Sequence, residues 1–125
     1  MEDKKKTILI VDDDNFLLDT YALKFSQSGF IVDTALGSVT ALEKIKQYPN
    51  LDILLTDIVM PVMDGFELLE IINKEKLIPN TIKIIISNLS QTKYIEKGKL
   101  LGASGYILKA HTAPTEVVAK VLSII

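Results

Sequence analysis

The sequence predicts a three-layer, doubly wound α/β domain: a five-stranded parallel sheet covered on both faces by five helices. Three observations predict it. Short apolar runs rich in β-branched residues recur along the 125 residues. The stretches between them carry apolar residues at helical spacing. Strict alternation of the two kinds implies right-handed crossovers, and therefore parallel strands.

The elements follow in order. Residues 7–11 (TILIV) read as the first strand. Leu17, Tyr21 and Phe25 lie at i, i+4 and i+8 on a helix that Gly29 can close. Residues 30–32 (FIV) read as a second strand, and the polar Asp33 and Thr34 beyond suit a sheet edge. Ser38 is the expected N-cap of a helix carrying Leu42 and Ile45. Residues 53–55 (ILL) are a third strand, and Phe66, Leu69 and Ile72 mark the helix after it. Residues 82–86 (IKIII) are a fourth strand. The helix over 91–101 is the least well specified, because Gly98 inside it costs about 1 kcal/mol relative to Ala. Residues 106–108 (YIL) form the fifth strand, and Val117, Val118, Val121, Leu122 and Ile125 mark a last helix with Pro114 in its first turn.

Composition narrows the function. Hydrophobic residues make up 48% of the chain, which suits a packed globule rather than a disordered one. A net charge of −2 does not favour nucleic acid or an anionic membrane surface. All 14 basic residues other than His are lysines, so bidentate guanidinium recognition of phosphate is absent. With no cysteine there is no disulfide, thiolate chemistry or Cys-based zinc site. No apolar run is long enough for a signal peptide or a bilayer span, so the cytoplasm is the expected location. Without a repeat or linker, residues 1–6 read as a charged tail and 7–125 as a single domain with no effector domain. A stand-alone unit is expected over one cut from a larger protein.

In a doubly wound sheet, ligands bind beyond the carboxyl ends of the strands. Those ends carry Asp12, Asp13 and Asp14 after strand 1, Asp57 after strand 3, Ser87 and Asn88 after strand 4, and Lys109 after strand 5. No Gly-rich phosphate loop follows strand 1. Taken singly, each has a plain structural role. The aspartates cap a helix, Asp14 doing only that, Asp64-Gly65 is a turn and helix start, and His111 is an exposed loop residue. Together they suggest phosphoryl chemistry. Crowded carboxylates suit a hard dication such as Mg²⁺, which prefers oxygen ligands. A carboxylate beside such an ion can attack phosphorus. Lys109 and the ion supply positive charge, and the Ser87 hydroxyl supplies a hydrogen bond.

Four stretches carry a family resemblance: "ILIVDDD" from Ile8, "LLTDIVMPVMDGFELL" from Leu54, "IIISN" from Ile84 and "GASGYILKA" from Gly102. From about Lys6 to the end, the chain resembles the receiver domain of two-component response regulators, of the chemotaxis-receiver kind. The resemblance implies the flavodoxin-like strand order 2-1-3-4-5. It implies that Asp57 is the phosphoacceptor, charged by a sensor histidine kinase or phosphotransfer protein. It implies that Asp12, Asp13, Asp57 and the backbone carbonyl of Val59 hold Mg²⁺. It gives Ser87 and Lys109 contacts to the phosphoryl group, makes Ser87 and Tyr106 the switch pair, and makes Pro61 and Gly65 shapers of the loop after Asp57. The expected output is a changed helix 4–strand 5–helix 5 face that binds a downstream protein, from a monomer or weak dimer. Such a protein is a phosphorylation-switched signalling domain, not an enzyme beyond autocatalytic phosphotransfer and dephosphorylation.

Two residues depart from the pattern. Ala110 stands where the family usually has Pro, so the loop after Lys109 is expected to differ unless a cis bond is accommodated at about 2.5–4 kcal/mol. Asn88 stands where a small residue is common, and narrows the donor's path. The resemblance implies that the residues two past the phosphoacceptor and two past the hydroxyl tune phosphoryl lifetime; here they are Val59 and Leu89, both apolar and unable to orient water. Slow self-dephosphorylation is therefore expected. A haloacid-dehalogenase-type phosphatase would use Asp12 and Asp14, but Phe16 breaks its motif. A pseudo-receiver would lack the full set of acids, Ser87 and Lys109. A flavodoxin would need a phosphate loop.

Overall fold

The computed structural model describes residues 5–125, so residues 1–4 of the expected tail lie outside the described residues. The elements are β1 (Thr7–Asp12), α1 (Asn15–Gln27), β2 (Ile31–Leu36), α2 (Ser38–Gln47), β3 (Ile53–Thr56), α3 (Gly65–Lys74), β4 (Ile82–Ser87), α4 (Thr92–Leu100), β5 (Ala103–Leu108) and α5 (Pro114–Ile124), with a short 3₁₀ turn at Lys109–His111. The sheet is parallel, in the order β2-β1-β3-β4-β5. The expected fold class and strand order are both present.

Alternation along the strands splits the core into two layers. Leu9, Val11, Leu54 and Ile85 face α2 and α3. Ile8, Ile10, Leu55, Ile84 and Ile86 face α1 and α5. The central strands β1, β3 and β4 are buried on both sides, which is why they read as continuous apolar runs. The Gly29 backbone at φ +91° ends α1, where Phe30 N–H reaches back to the Phe25 carbonyl at 3.1 Å.

Some local expectations need correction. Ser38 does not cap α2: Gly37, at φ +89°, holds the N-cap position. Ser38 is instead buried with its hydroxyl 3.9 Å from Met60 Sδ. On α1 the buried stripe is Leu18, Tyr21 and Phe25, and Leu17 is only half-buried. On α5, Val117, Val118 and Val121 are buried while Leu122 and Ile125 face solvent. A helix lying on a twisted sheet buries a face set by the sheet's direction, which spacing alone does not fix.

Candidate functional site

Parallel strands bring their carboxyl ends to one rim. Asp12 is the last residue of β1, and Asp57 follows β3 with its N–H donating to the Val11 carbonyl at 2.9 Å. Ser87 ends β4 opposite Leu108, and Lys109 follows β5. The fold thus carries four of the expected residues to one edge from four different strands.

Asp57 is buried. Its Oδ1 accepts from Ile58 N–H at 2.7 Å, and its Oδ2 accepts from Lys109 Nζ at 2.9 Å. Asp12 is more deeply buried, at 1% exposure, and its Oδ1 accepts from Asp14 N–H at 2.9 Å. Asp12 Oδ2 lies 2.7 Å from Lys109 Nζ, an ion pair between two largely buried side chains. Asp13 is exposed. Lys109 therefore spans the two buried carboxylates. All peptide bonds among the described residues are trans, and a 3₁₀ turn carries Lys109 into place despite Ala110.

One ammonium cannot neutralise three carboxylates. Burial raises the Asp57 carboxyl above its ordinary range, and Asp12 adds to this. Lys109 and the Ile58 N–H pull the other way without cancelling it. For Lys109, burial works to lower the pKa, but Asp12 and then Asp57 outweigh it and hold the ammonium above its usual value.

Asp12, Asp13 and Asp57 each offer an oxygen, and these atoms lie within 4.8 Å of one another, a cluster able to hold a metal ion. An oxygen-only set of three carboxylates sharing one ammonium fits a hard divalent cation. Val59 sits in the loop beyond, with its side chain exposed.

Ser87 is fully buried and its hydroxyl accepts from Leu89 N–H at 3.1 Å. Tyr106 is half-buried, and its hydroxyl donates to the Leu89 carbonyl at 2.6 Å. The two side chains hold opposite ends of one residue's backbone, a link that a sequence does not display. Burial also raises the Tyr106 phenol. Tyr21, read as core alone, has a buried phenol that feels Lys109, Asp12 and Asp57. A hydroxyl on an otherwise apolar helix stripe was the available signal.

The minor expectations fall as follows. Asp14 caps α1 by accepting from Leu17 N–H at 3.1 Å. Asp64 caps α3 in a capping box with Glu67. His111 and Asn88 are exposed. Gly65 is required by contact: a Cβ there would lie 2.1 Å from the Asp57 carbonyl oxygen.

Known proteins resemble this chain in sequence and in fold. The chain is 37% identical over 105 residues to the chemotaxis protein CheY of Treponema pallidum, covering 82% of this chain and 71% of that protein. It is 37% identical over 103 residues to a two-component response regulator of Arabidopsis thaliana, of which it spans only 18%. A CheY-like response regulator receiver domain protein from Methanospirillum hungatei superposes with a TM-score of 0.83 at 31% identity, covering 96% of this chain and 93% of that one. A Vibrio cholerae chemotaxis protein gives 0.88 at 23% identity over 98% of this chain and all of the other, which speaks for the fold. Residues 8–122 match the model of the response regulator receiver domain, and the chain belongs to that family.

Proposed function

We propose that this chain is a phosphoacceptor switch, charged on Asp57 by a sensor histidine kinase or phosphotransfer protein. The observation that carries the reading is the Asp57 carboxylate, buried at the strand rim, 2.9 Å from Lys109 and sharing a 4.8 Å cluster with Asp12 and Asp13. A carboxylate oxygen of Asp57 attacks phosphorus, the bond to the donor breaks, and the donor leaves with its electron pair. Asp12, Asp13, Asp57 and the Val59 carbonyl would hold Mg²⁺. When bound, the ion supplies charge neutralisation at the phosphoryl oxygens. Lys109 gives up part of its contact with Asp57 and takes a phosphoryl oxygen, and Ser87 donates to another.

The response runs through Leu89. A Ser87 hydroxyl recruited to the phosphoryl group alters its hold on Leu89 N–H, and Tyr106 holds the carbonyl of the same residue. The loop before α4 then shifts, and the α4–β5–α5 face changes its affinity for a downstream protein. On this reading residues 7–125 act as one signalling unit in the cytoplasm, with catalysis limited to the unit's own phosphorylation and dephosphorylation.

Intact-mass spectrometry after incubation with Mg²⁺ and a small acyl-phosphate donor tests the proposal. One phosphoryl adduct on wild type and none on Asp57→Asn is expected. An adduct of equal yield on both would reject Asp57. A wild type unmodified by both acyl phosphate and a phosphorylated histidine donor would reject the switch.

A further inference from the structure

The edge strand β2 carries a feature that the rim does not need. Ile31 N–H donates to the Lys6 carbonyl and Gly37 N–H to the Asp12 carbonyl, each at 2.9 Å. Odd-numbered residues of β2 therefore turn their backbone groups towards β1. Val32, Thr34 and Leu36 turn theirs away from the sheet. An edge of this kind is a template for another strand. Leu36 and Ile31, both 54% exposed, add apolar surface at its two ends.

The middle of that edge is closed by side chains. Thr34 N–H donates to Asp33 Oδ1 at 2.8 Å. Lys44 Nζ, reaching from α2, donates to the same Oδ1 at 2.8 Å and to the Thr34 carbonyl at 2.6 Å. The three bonds form a ring that occupies both outward backbone groups of Thr34. Burial works to raise the Asp33 carboxyl, but Lys44 and the Thr34 amide outweigh it and hold it low.

Geometry selects what the ring excludes. Antiparallel pairing of two identical edges about a twofold axis normal to the sheet brings together residues of the same parity. A pairing centred on Asp33 sets two carboxylates face to face, which is unfavourable. A pairing centred on Thr34 sets Val32 against Leu36 and Asp33 against Ala35. In that register the central hydrogen-bonded pair is Thr34 with Thr34, whose groups the ring fills.

We propose that the Asp33–Lys44 pair is a plug on β2, and that opening it turns the edge into a surface for antiparallel pairing with β2 of a second copy of this chain. Neutralising Lys44 by acylation is one chemical route to opening it.

The test compares wild type with Asp33→Ala/Lys44→Met, a double change that leaves net charge unaltered. In sedimentation across a wide concentration range, wild type stays monomeric or associates independently of Leu36. The double variant is expected to move towards twice the monomer mass, and adding Leu36→Lys is expected to reverse this. In dilute monomer, hydrogen exchange at the Thr34 amide should quicken in the double variant. A double variant as monomeric as wild type, or association that survives Leu36→Lys, would overturn the proposal. So would unchanged protection of the Thr34 amide, or wild-type association already abolished by Leu36→Lys.

Discussion

Replacing Asp57 by Asn should make the protein more stable at neutral pH. At an effective dielectric of about 20, like charges no more than 4.8 Å apart repel by at least about 3.5 kcal/mol. Asp57 has two such neighbours, Asp12 and Asp13, and the exposure of Asp13 weakens its share. The ion pair with Lys109 at 2.9 Å returns about 6 kcal/mol on the same scale. Attraction and repulsion nearly cancel, and burial of the charge remains as a net cost. Asn removes that charge while its carbonyl oxygen still accepts from Ile58 N–H. Lys109 keeps Asp12 at 2.7 Å, so no buried ammonium is orphaned. The expected gain is about 1–2 kcal/mol, or roughly 4–8 °C in Tm for a domain of this size.

The pH dependence separates this cause from a packing effect. Burial holds the folded Asp57 pKa above its unfolded value. The charge then costs stability at every pH above the folded pKa, and the cost fades as pH falls from there towards the unfolded value. The advantage of Asp57→Asn should therefore be full above the folded pKa and shrink on acidification through it. Mg²⁺ should stabilise wild type more than the variant. Urea denaturation at several pH values, with and without Mg²⁺, measures all three. A variant less stable than wild type at pH 7, or an advantage equally large at acid pH, would refute the electrostatic account.

Other perturbations follow from the same structure. Gly65→Ala sets a Cβ against the Asp57 carbonyl oxygen and Ile58 Cα, at 2.1 and 2.9 Å, both backbone atoms that cannot swing aside. It should cost about 3 kcal/mol in urea and slow phosphorylation of Asp57, and full stability would show the loop to be soft. Lys83 is buried in β4 with one long contact, 3.4 Å to the Thr81 carbonyl, and burial lowers its pKa. Its charge costs stability below the folded pKa, so Lys83→Met should stabilise by about 1 kcal/mol below that pKa and by less as pH rises through it. Tyr106→Ala should uncouple partner binding from phosphorylation while the adduct still forms, and equal loss of both would reject its switch role. With Val59 and Leu89 apolar, the phosphoryl group should decay slowly by mass spectrometry, and Val59→Glu or Leu89→Gln should quicken the decay.

The parts of the fold legible in the sequence are those where burial is two-sided. β1, β3 and β4 lie between helix layers, so their residues are apolar regardless of the face they point to. The helix stripes were less legible: spacing found Tyr21 and Phe25 but took Leu17 where Leu18 is buried. Adjacent positions on a helix differ by about 100°, and only the sheet decides which faces inward. The rim residues could be read because carboxylates at strand ends carry their chemistry in the side chain. The Leu89 link could not, because both of its contacts are to backbone atoms that every residue possesses. The reach of Lys109 past Ala110 was likewise a matter of backbone path: a trans chain and one 3₁₀ turn achieve it.

The uneven burial of the sheet bears on which side of the rim can move. Asp12 and Asp57 are carried by β1 and β3, inner strands hydrogen-bonded on both edges. Shifting either would break ladder bonds on two sides and disturb both core layers. Ser87 ends β4, and the loop beyond it leads to α4, which buries only Gly98. Beside it, half-buried Tyr94 packs against the core and stacks on Phe66 at 6.4 Å, and Lys97 lies 4.7 Å above the Phe66 ring. β5 is an outer strand whose residues are mostly half-buried. A charge added at Asp57 thus meets a stiff wall on the β1 and β3 side and a lightly held helix on the β4 and β5 side. Displacement goes where the restoring force is smallest, so on the proposed reading α4 is expected to respond while the acidic cluster stays in place. Gly98→Ala tests this directly. Its Cβ would press on the end of the buried Ile85 side chain at 2.6 Å and touch Tyr106 Cδ2 at 3.6 Å and Ala103 Cβ at 3.9 Å, while Ala favours the helix by about 1 kcal/mol. Stability should change little, while hydrogen exchange within α4 should slow and the phosphorylation-linked change in partner affinity should shrink. A variant with slowed α4 exchange and an undiminished response would show that the signal leaves the rim by another path.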